Sequence, residues 1–288
     1  MKRSIIVDCS DLHGGHRYGL LNPETALDEI DQNGNPIDKT YDPQLTKIQE
    51  YLWEIYTVQI KYVNEYAAGD EVIVIMNGDM TAGDKHKQLL VSDRMADQIV
   101  IGAWNMRPWY EIKPRAVRFV KGTGAHVFGY GSSEILIVEI LKPTYPEIST
   151  KICDHALLTV CGIDIDISHH GPPPGSREWL KGNEARYYLR SLMMQEITAG
   201  KKPPRLVLRG HYHEEIEETL IIKSNGNRYK STLVLTPSFT FIDEYARKAA
   251  RSPSRITHGM VMIEIVDGEI LRTVPLTRTI DIRTKETL

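Results

Sequence analysis

The sequence predicts an α/β fold, a sandwich of two mixed β-sheets flanked by helices, and three observations carry that expectation. Short aliphatic runs recur along the chain, and each ends in polar, chemically capable residues. Stretches with apolar residues at helical spacing lie between several of those runs, and strand, helix, strand at such intervals argues for a layered, partly parallel sheet. The tail instead reads as two alternating segments joined by Asp267-Gly268, the mark of an antiparallel hairpin. No internal repeat, low-complexity tract or linker-like stretch interrupts residues 1–288, so a single domain is expected.

In chain order, Ile5–Val7 is the first strand and leads into Cys9-Ser10-Asp11-Leu12-His13-Gly14-Gly15-His16. Asp28–Tyr41, rich in Asp, Asn and Gly, reads as a surface loop. Pro43 to about Tyr66 carries Leu45, Ile48, Leu52, Ile55, Tyr56 and Ile60 near helical spacing and is read as a helix. Val72–Met76 then runs into Asn77-Gly78-Asp79, and Asp93 to about Trp109 is a second helix. Val117–Val120 ends in Gly122-Thr123-Gly124-Ala125-His126. Ile163–Ile167 alternates with period two, as a half-buried strand does, and ends in Ser168-His169-His170-Gly171. Glu184 to Ile197 places Leu189, Leu192, Met193 and Ile197 on one stripe, and Pro203-Pro204 separates that helix from the next strand. Leu206–Leu208 ends in Arg209-Gly210-His211-Tyr212-His213-Glu214, and the hairpin pairs Gly259–Val266 with Glu269–Leu276. In open α/β sheets ligands collect beyond the carboxyl ends of the strands, where all five polar clusters fall.

Composition narrows the class. The hydrophobic fraction of 41% and charged fraction of 25% are those of an ordinary soluble protein. No run approaches the roughly eighteen apolar residues that span a bilayer. Asp8 cuts Ile5-Ile6-Val7 too short for a signal peptide, so no membrane partner and a cytoplasmic location are expected. Cys9, Cys153 and Cys161 are too few and too scattered for a disulfide framework or a cysteine zinc site, and read as reduced cysteines. A net charge of −3 lacks the basic footprint of a dedicated nucleic-acid binder, although bound divalent cations would reverse the local sign.

The polar clusters carry metal chemistry. Hard divalent ions take carboxylate oxygens, and manganese, zinc, iron and nickel accept imidazole as well. Asp11 and His13, two apart, share a face on an extended strand end, and His211 and His213 repeat the spacing after Gly210. Asp79 follows Gly78 where a carboxylate can bridge two ions, and His169 and His170 add one or two nitrogens. Each piece alone is ordinary: a strand-end Asp caps a helix, and Gly-Asp makes a turn. Together, each at a strand end, they suffice for two divalent metal ions sharing one carboxylate.

In order and context, Asp11-Leu12-His13, Gly78-Asp79, His169 and Gly210-His211-Tyr212-His213 resemble the calcineurin-like metallophosphoesterases. That family reads Asp-x-His, Gly-Asp, Gly-Asn-His, a lone His and Gly-His-x-His. The resemblance spans about residues 5–215, and the closing hairpin is similar to the family's ending. It implies hydrolysis of phosphate esters by a hydroxide bridging two ions. Asp11, His13 and His213 would hold the first ion, Asp79 would bridge, and His169 and His211 would hold the second. His169 is taken as the ligand of its pair, leaving His170 either behind the ligands or facing substrate. The third motif departs: Thr123 stands at the position of the family's Asn, and His126 arrives two residues late. His126 is read as the acid that protonates the leaving group, with His170 the other donor, and ligation of the second ion by His126 as the rival reading. Arg17 and Arg177, after the first and fourth clusters, and His16, after Gly14-Gly15, are candidates for gripping a substrate phosphate. Lys113, Arg115, Arg118, Lys201, Lys202 and Arg205 fall toward the far end of the sheet and read as a solvated face. Asp8 is read as supporting. The expected substrate is a phosphodiester or nucleic acid; the alternatives are a phosphomonoesterase or a regulatory protein with a decayed site.

Overall fold

In the computed structural model, residues 2–83, 89–124, 126, 132–175, 180–242 and 253–286 are described. Strands β1 (Arg3–Cys9), β4 (Glu71–Asn77), β5 (Ala116–Val120) and β6 (Ser149–Cys153) run parallel, side by side in that order. On the other side of β1, the long strands β12 (Arg255–Val266) and β13 (Glu269–Asp281) add antiparallel and complete a mixed six-stranded sheet. Asp267 and Gly268 both take positive φ, which the two-residue turn of that hairpin requires.

A second sheet holds five strands in the order β10 (Ile216–Ser224), β11 (Asn227–Leu235), β9 (Leu206–Arg209), β8 (Ile163–Ser168) and β7 (His155–Val160). It too is mixed, with β11, β9 and β8 parallel and both edges antiparallel. The chain passes from one sheet to the other at Asp154, between β6 and β7.

Alternation along the strands sorts side chains between cores. Ile6, Ile73 and Ile75 from the first sheet share one buried cluster with Ile163, Ile165, Ile167, Leu206 and Leu208 from the second. The opposite face of the first sheet, with Ile5, Val7, Val74 and Phe119, packs with α1 (Lys47–Ala67), α2 (Met95–Glu111) and α3 (Ser133–Thr144). The opposite face of the second sheet, with Val207, Leu233 and Leu235, packs with Ala185, Leu189 and Met193 of α4 (Asn183–Thr198). The architecture is therefore α/β, with mixed sheets and four helices among the described residues. None of those helices is long and apolar enough to cross a membrane.

Several elements differ from expectation. Asp28–Tyr41 is not a loop: β2 (Leu27–Ile30) and β3 (Pro36–Tyr41) form a hairpin whose turn is held by Asp31 Oδ1, accepting from Asn33 N and Asn35 N at 2.8 and 2.9 Å. The polar composition reflects exposure of the hairpin, and the turn chemistry, with Gly34 at φ 82°, sits inside it. The first helix begins at Lys47, after a reciprocal capping box between Thr46 and Gln49. The closing hairpin starts four residues earlier and ends five later than its apolar runs, since Arg255–His258 and Thr277–Asp281 also pair across it. Cys9 lies in the core, whereas Cys153 and Cys161 are only partly buried, and all three are free thiols.

Candidate metal centre

The centre forms where β1, β4, β5, β8 and β9 end, because the loops that leave them are joined backbone to backbone. Asp11 N donates to Gly78 O at 3.1 Å, His13 N to Asp79 O at 3.1 Å, and Gly14 N to Met80 O at 2.9 Å. Gly210 N donates to His169 O at 2.9 Å, tying the β9 loop to the β8 loop. Residues far apart in sequence thereby meet: Asp11 Oδ2 accepts from His211 N at 3.0 Å, and Asp11 Oδ1 lies 3.1 Å from His213 Nε2.

Turning six donors inward demands unusual backbone. Asp11, His13, Asp79, His211 and His213 all take positive φ, between 46° and 75°. Such conformations are disfavoured for non-glycine residues, and clusters of them mark sites where the fold over-determines geometry for function. Two glycines make room. A Cβ on Gly122 would fall onto the Asp79 backbone and carboxylate, and one on Gly78, whose φ is 85°, would strike the His169 ring.

Three groups of donor atoms result, each with its atoms within 4.8 Å of one another: Asp11, His13 and His213; His13, Asp79 and His126; and Asp79, His169 and His211. The first and third are the ligand sets that the family resemblance implies for two ions, except that the bridging Asp79 is grouped with His126 and His13 as well. His170 is exposed and belongs to none of the groups, its ring centroid 4.8 Å from that of His211. The donors fit borderline divalent ions, being imidazole nitrogens and buried carboxylate oxygens. His13 Nε2 is buried without a hydrogen-bond partner among the described residues, 3.7 Å from Asp11 Oδ1, an orphan that a cation would satisfy.

The partners behind the donors orient them. His169 Nδ1 donates to Asn77 O at 2.5 Å, which turns Nε2 toward Asp79 Oδ2 at 3.0 Å. His126 Nδ1 donates to Ala82 O at 2.8 Å, leaving Nε2 3.9 Å from the same Asp79 oxygen. Ring N–H groups donated to carbonyls are the usual means of aiming a ligating imidazole. Thr123, at the family's Asn position, donates its N–H to Asp79 Oδ1 at 2.6 Å and brings its hydroxyl to 3.1 Å from both carboxylate oxygens. Its donors point at the carboxylate, so it holds Asp79. Ser10 Oγ lies 2.5 Å from Asp11 Oδ2 and 2.8 Å from Asn77 O.

Electrostatics follow from the crowding. Burial opposes ionisation of Asp11 and Asp79, but His213 and His169 outweigh it: Asp11 sits well below its ordinary range and Asp79 at about 2. Burial likewise opposes charge on His169 and His213, yet the Asp11 carboxylate, with Asp79, raises both and brings His169 to about 9. Burial and the neighbouring His126 lower His13 to about 4, while burial and His169 lower His170 and His211. The two carboxylates thus favour the protonated form of His169 and His213, and a proton held there must leave when a cation binds.

The remaining candidates are placed differently. His16 is buried, its Nδ1 accepting from Tyr18 N at 3.1 Å, and its carbonyl accepts from Gln49 Nε2 at 3.2 Å, tying this loop to α1. Arg17 is exposed, donates to Leu90 O at 3.3 Å, and lines an open groove with Asp28, Tyr41 and Arg94. Arg177 lies outside the described residues. Three supporting residues carried no sequence signal. Buried Glu134, on α3, accepts from Met80 N at 3.2 Å beside Asp79. Arg209, fully buried, binds Asp166 Oδ1 at 2.5 Å and Tyr188 at 3.0 Å just before the His211 loop. Thr236 donates to Asp8, whose carboxyl burial raises to about 7 although Thr236 and Asn77 oppose the shift. Asp8 stands in none of the three groups.

No protein-family model matches the chain, and no curated protein matches it.

Proposed function

We propose that the chain is a dinuclear, metal-dependent phosphoesterase of the calcineurin-like type, acting on phosphodiesters or nucleic acid. One observation carries this reading: the Asp-x-His, Gly-Asp, lone His and Gly-His-x-His residues meet where strands of both sheets end, in donor groups linked one to the next through His13 and Asp79. The layering supports it too, two mixed sheets with a common core and helices outside, the sandwich that the resemblance implies.

Asp11, His13 and His213 would hold one ion and His169 and His211 the other, with Asp79 between them. Two divalent ions there would acidify water and neutralise charge developing on phosphoryl oxygens. The protein's own part is to fix these donors through Asn77, Thr123 and Ser10, and to supply a proton to the departing oxygen. Among the described residues, His126 and His170 are the imidazoles beside the ligand rings that stand outside the family's ligand set, with His126 4.2 Å from His13 and His170 4.8 Å from His211, ring to ring. Loss of a positioned acid costs about 10²- to 10⁴-fold for a leaving group that needs a proton.

The test is metal-stripped protein reconstituted singly with manganese, zinc, nickel or iron, assayed on nitrophenyl mono- and diesters and on short DNA and RNA. Turnover is expected only with metal, and faster on the diester. A preference for the monoester moves the protein to the phosphomonoesterases. Two bound ions with no turnover of any ester would instead favour a regulatory role.

A further inference from the structure

Among the donor groups, the unexpected one is His13, Asp79 and His126. It resolves by counting lone pairs. A neutral imidazole offers one unprotonated nitrogen and so binds one ion. His13 belongs both to this group and to that of Asp11 and His213, which means the two groups surround a single ion. A carboxylate has two oxygens and can bridge, and Asp79 is the residue that this group shares with the one of His169 and His211, so it can join the two ions. The His126 ring sits 4.2 Å from His13, on the side of the first ion, while His169 and His211 form the other side. Its Nδ1–H is committed to Ala82 O and its backbone is held at both ends, N donating to Thr123 O at 3.0 Å and O accepting from Thr81 at 3.1 Å. The ring is aimed as His169 is aimed, by a carbonyl behind it. Thr123 turns its hydroxyl hydrogen and its N–H on Asp79, and its neutral hydroxyl is a poorer metal ligand than the carboxamide of the family's Asn.

We infer that the two ions are held unequally: His126 joins Asp11, His13, Asp79 and His213 around the first, and the second keeps only Asp79, His169 and His211. The inference rests on the two-ion reading above. It makes the first ion a resident one and the second an exchangeable one with more open positions for substrate. It also takes His126 out of acid catalysis and leaves that role to His170.

Equilibrium dialysis of metal-stripped protein against manganese, with electron paramagnetic resonance to count coupled pairs, tests it without any substrate. The wild type is expected to bind two ions with affinities at least about tenfold apart, since donor count and charge set affinity. In His126→Ala the tight site weakens by on the order of 10²-fold, because even the partners behind ligands cost about 10- to 100-fold, and the weak site changes little. His211→Ala does the reverse. Should His126→Ala lose its far-UV circular dichroism, His126→Asn replaces it, and it too is expected to weaken the tight site. Unchanged affinities in the folded variant would overturn the inference while leaving two bound ions in place. A wild type that binds fewer than two ions overturns the two-ion reading itself.

Discussion

Asp79 is the residue on which most of the centre depends. Its carboxylate meets His169 at 3.0 Å, stands 3.9 Å from His126, and is gripped by the Thr123 amide and hydroxyl. An amide in its place keeps the shape but has one acceptor oxygen and no charge, so it cannot bridge through two oxygens and offers His169 no opposite charge. Asp79→Asn is expected to weaken both ions by on the order of 10²-fold and to remove nearly all turnover, with far-UV circular dichroism retained. Metal analysis after gel filtration checks this, and wild-type metal content at wild-type rate would dismiss the whole assignment. At this scale much was legible from sequence, since Asp, His and Gly at strand ends are a small vocabulary. What His126 faces was not, because a ring's direction depends on the carbonyl behind it, here Ala82, in a different loop.

The loops that follow the strands act as elements only because glycine lets them touch. Gly122 sits where a methyl group would land on Asp79, whereas a Cβ on Gly124, two residues along the same loop, meets nothing within 4 Å among the described residues. Gly122→Ala must therefore push the β5 loop off Asp79, an overpacking that typically costs about 1–3 kcal/mol. It should lower the thermal midpoint and the metal content together, and Gly124→Ala should change neither. Equal melting curves and metal contents for the two variants would show that the close approach carries no load. Some elements went unread although signals existed. Asn225-Gly226, both at positive φ, form the turn between β10 and β11, a pairing as recognisable as Asp267-Gly268. The apolar run Ile135–Leu141 in α3 has no single stripe, and such short runs do not separate strand from buried helix.

Across the whole molecule, the segment after β11 closes the structure over the first sheet. Phe239 N donates to Asp11 O at 3.2 Å, Phe241 N to Tyr18 O at 2.7 Å, and Phe241 stacks on His258 of β12 at 5.5 Å. His258 is fully buried, and neither ring nitrogen has a well-made hydrogen bond among the described residues, the nearby Ser238 backbone included. Burial lowers this imidazole from 6.5 to about 4, with Ser238 opposing only in part. The unfolded chain then takes up the proton first, so stability rises with pH between about 4 and 6.5. The contribution is complete above the unfolded value and is lost as pH falls through that window, on the order of 3 kcal/mol in all. Urea unfolding at pH 4.5 and 7 checks it: His258→Phe should flatten the difference. An unaltered pH dependence in that variant would show that other groups set it.

The sequence by itself determined the order of the aspartate, histidine and glycine residues of the candidate centre and their place after strands, because strand ends are written in local apolar patterns. It also determined the closing hairpin and the main helices, whose signals lie within a few residues of one another. Tertiary structure alone decided which donors face each other. His213 comes to lie 3.1 Å from Asp11, 202 positions away, only because β9 and β1 belong to sheets that share a core. The same packing made Thr123 a clamp on Asp79 and set Glu134, from a helix whose pattern is ambiguous, behind Met80. Such contacts arise from burial and backbone register across the whole chain, which no local pattern encodes.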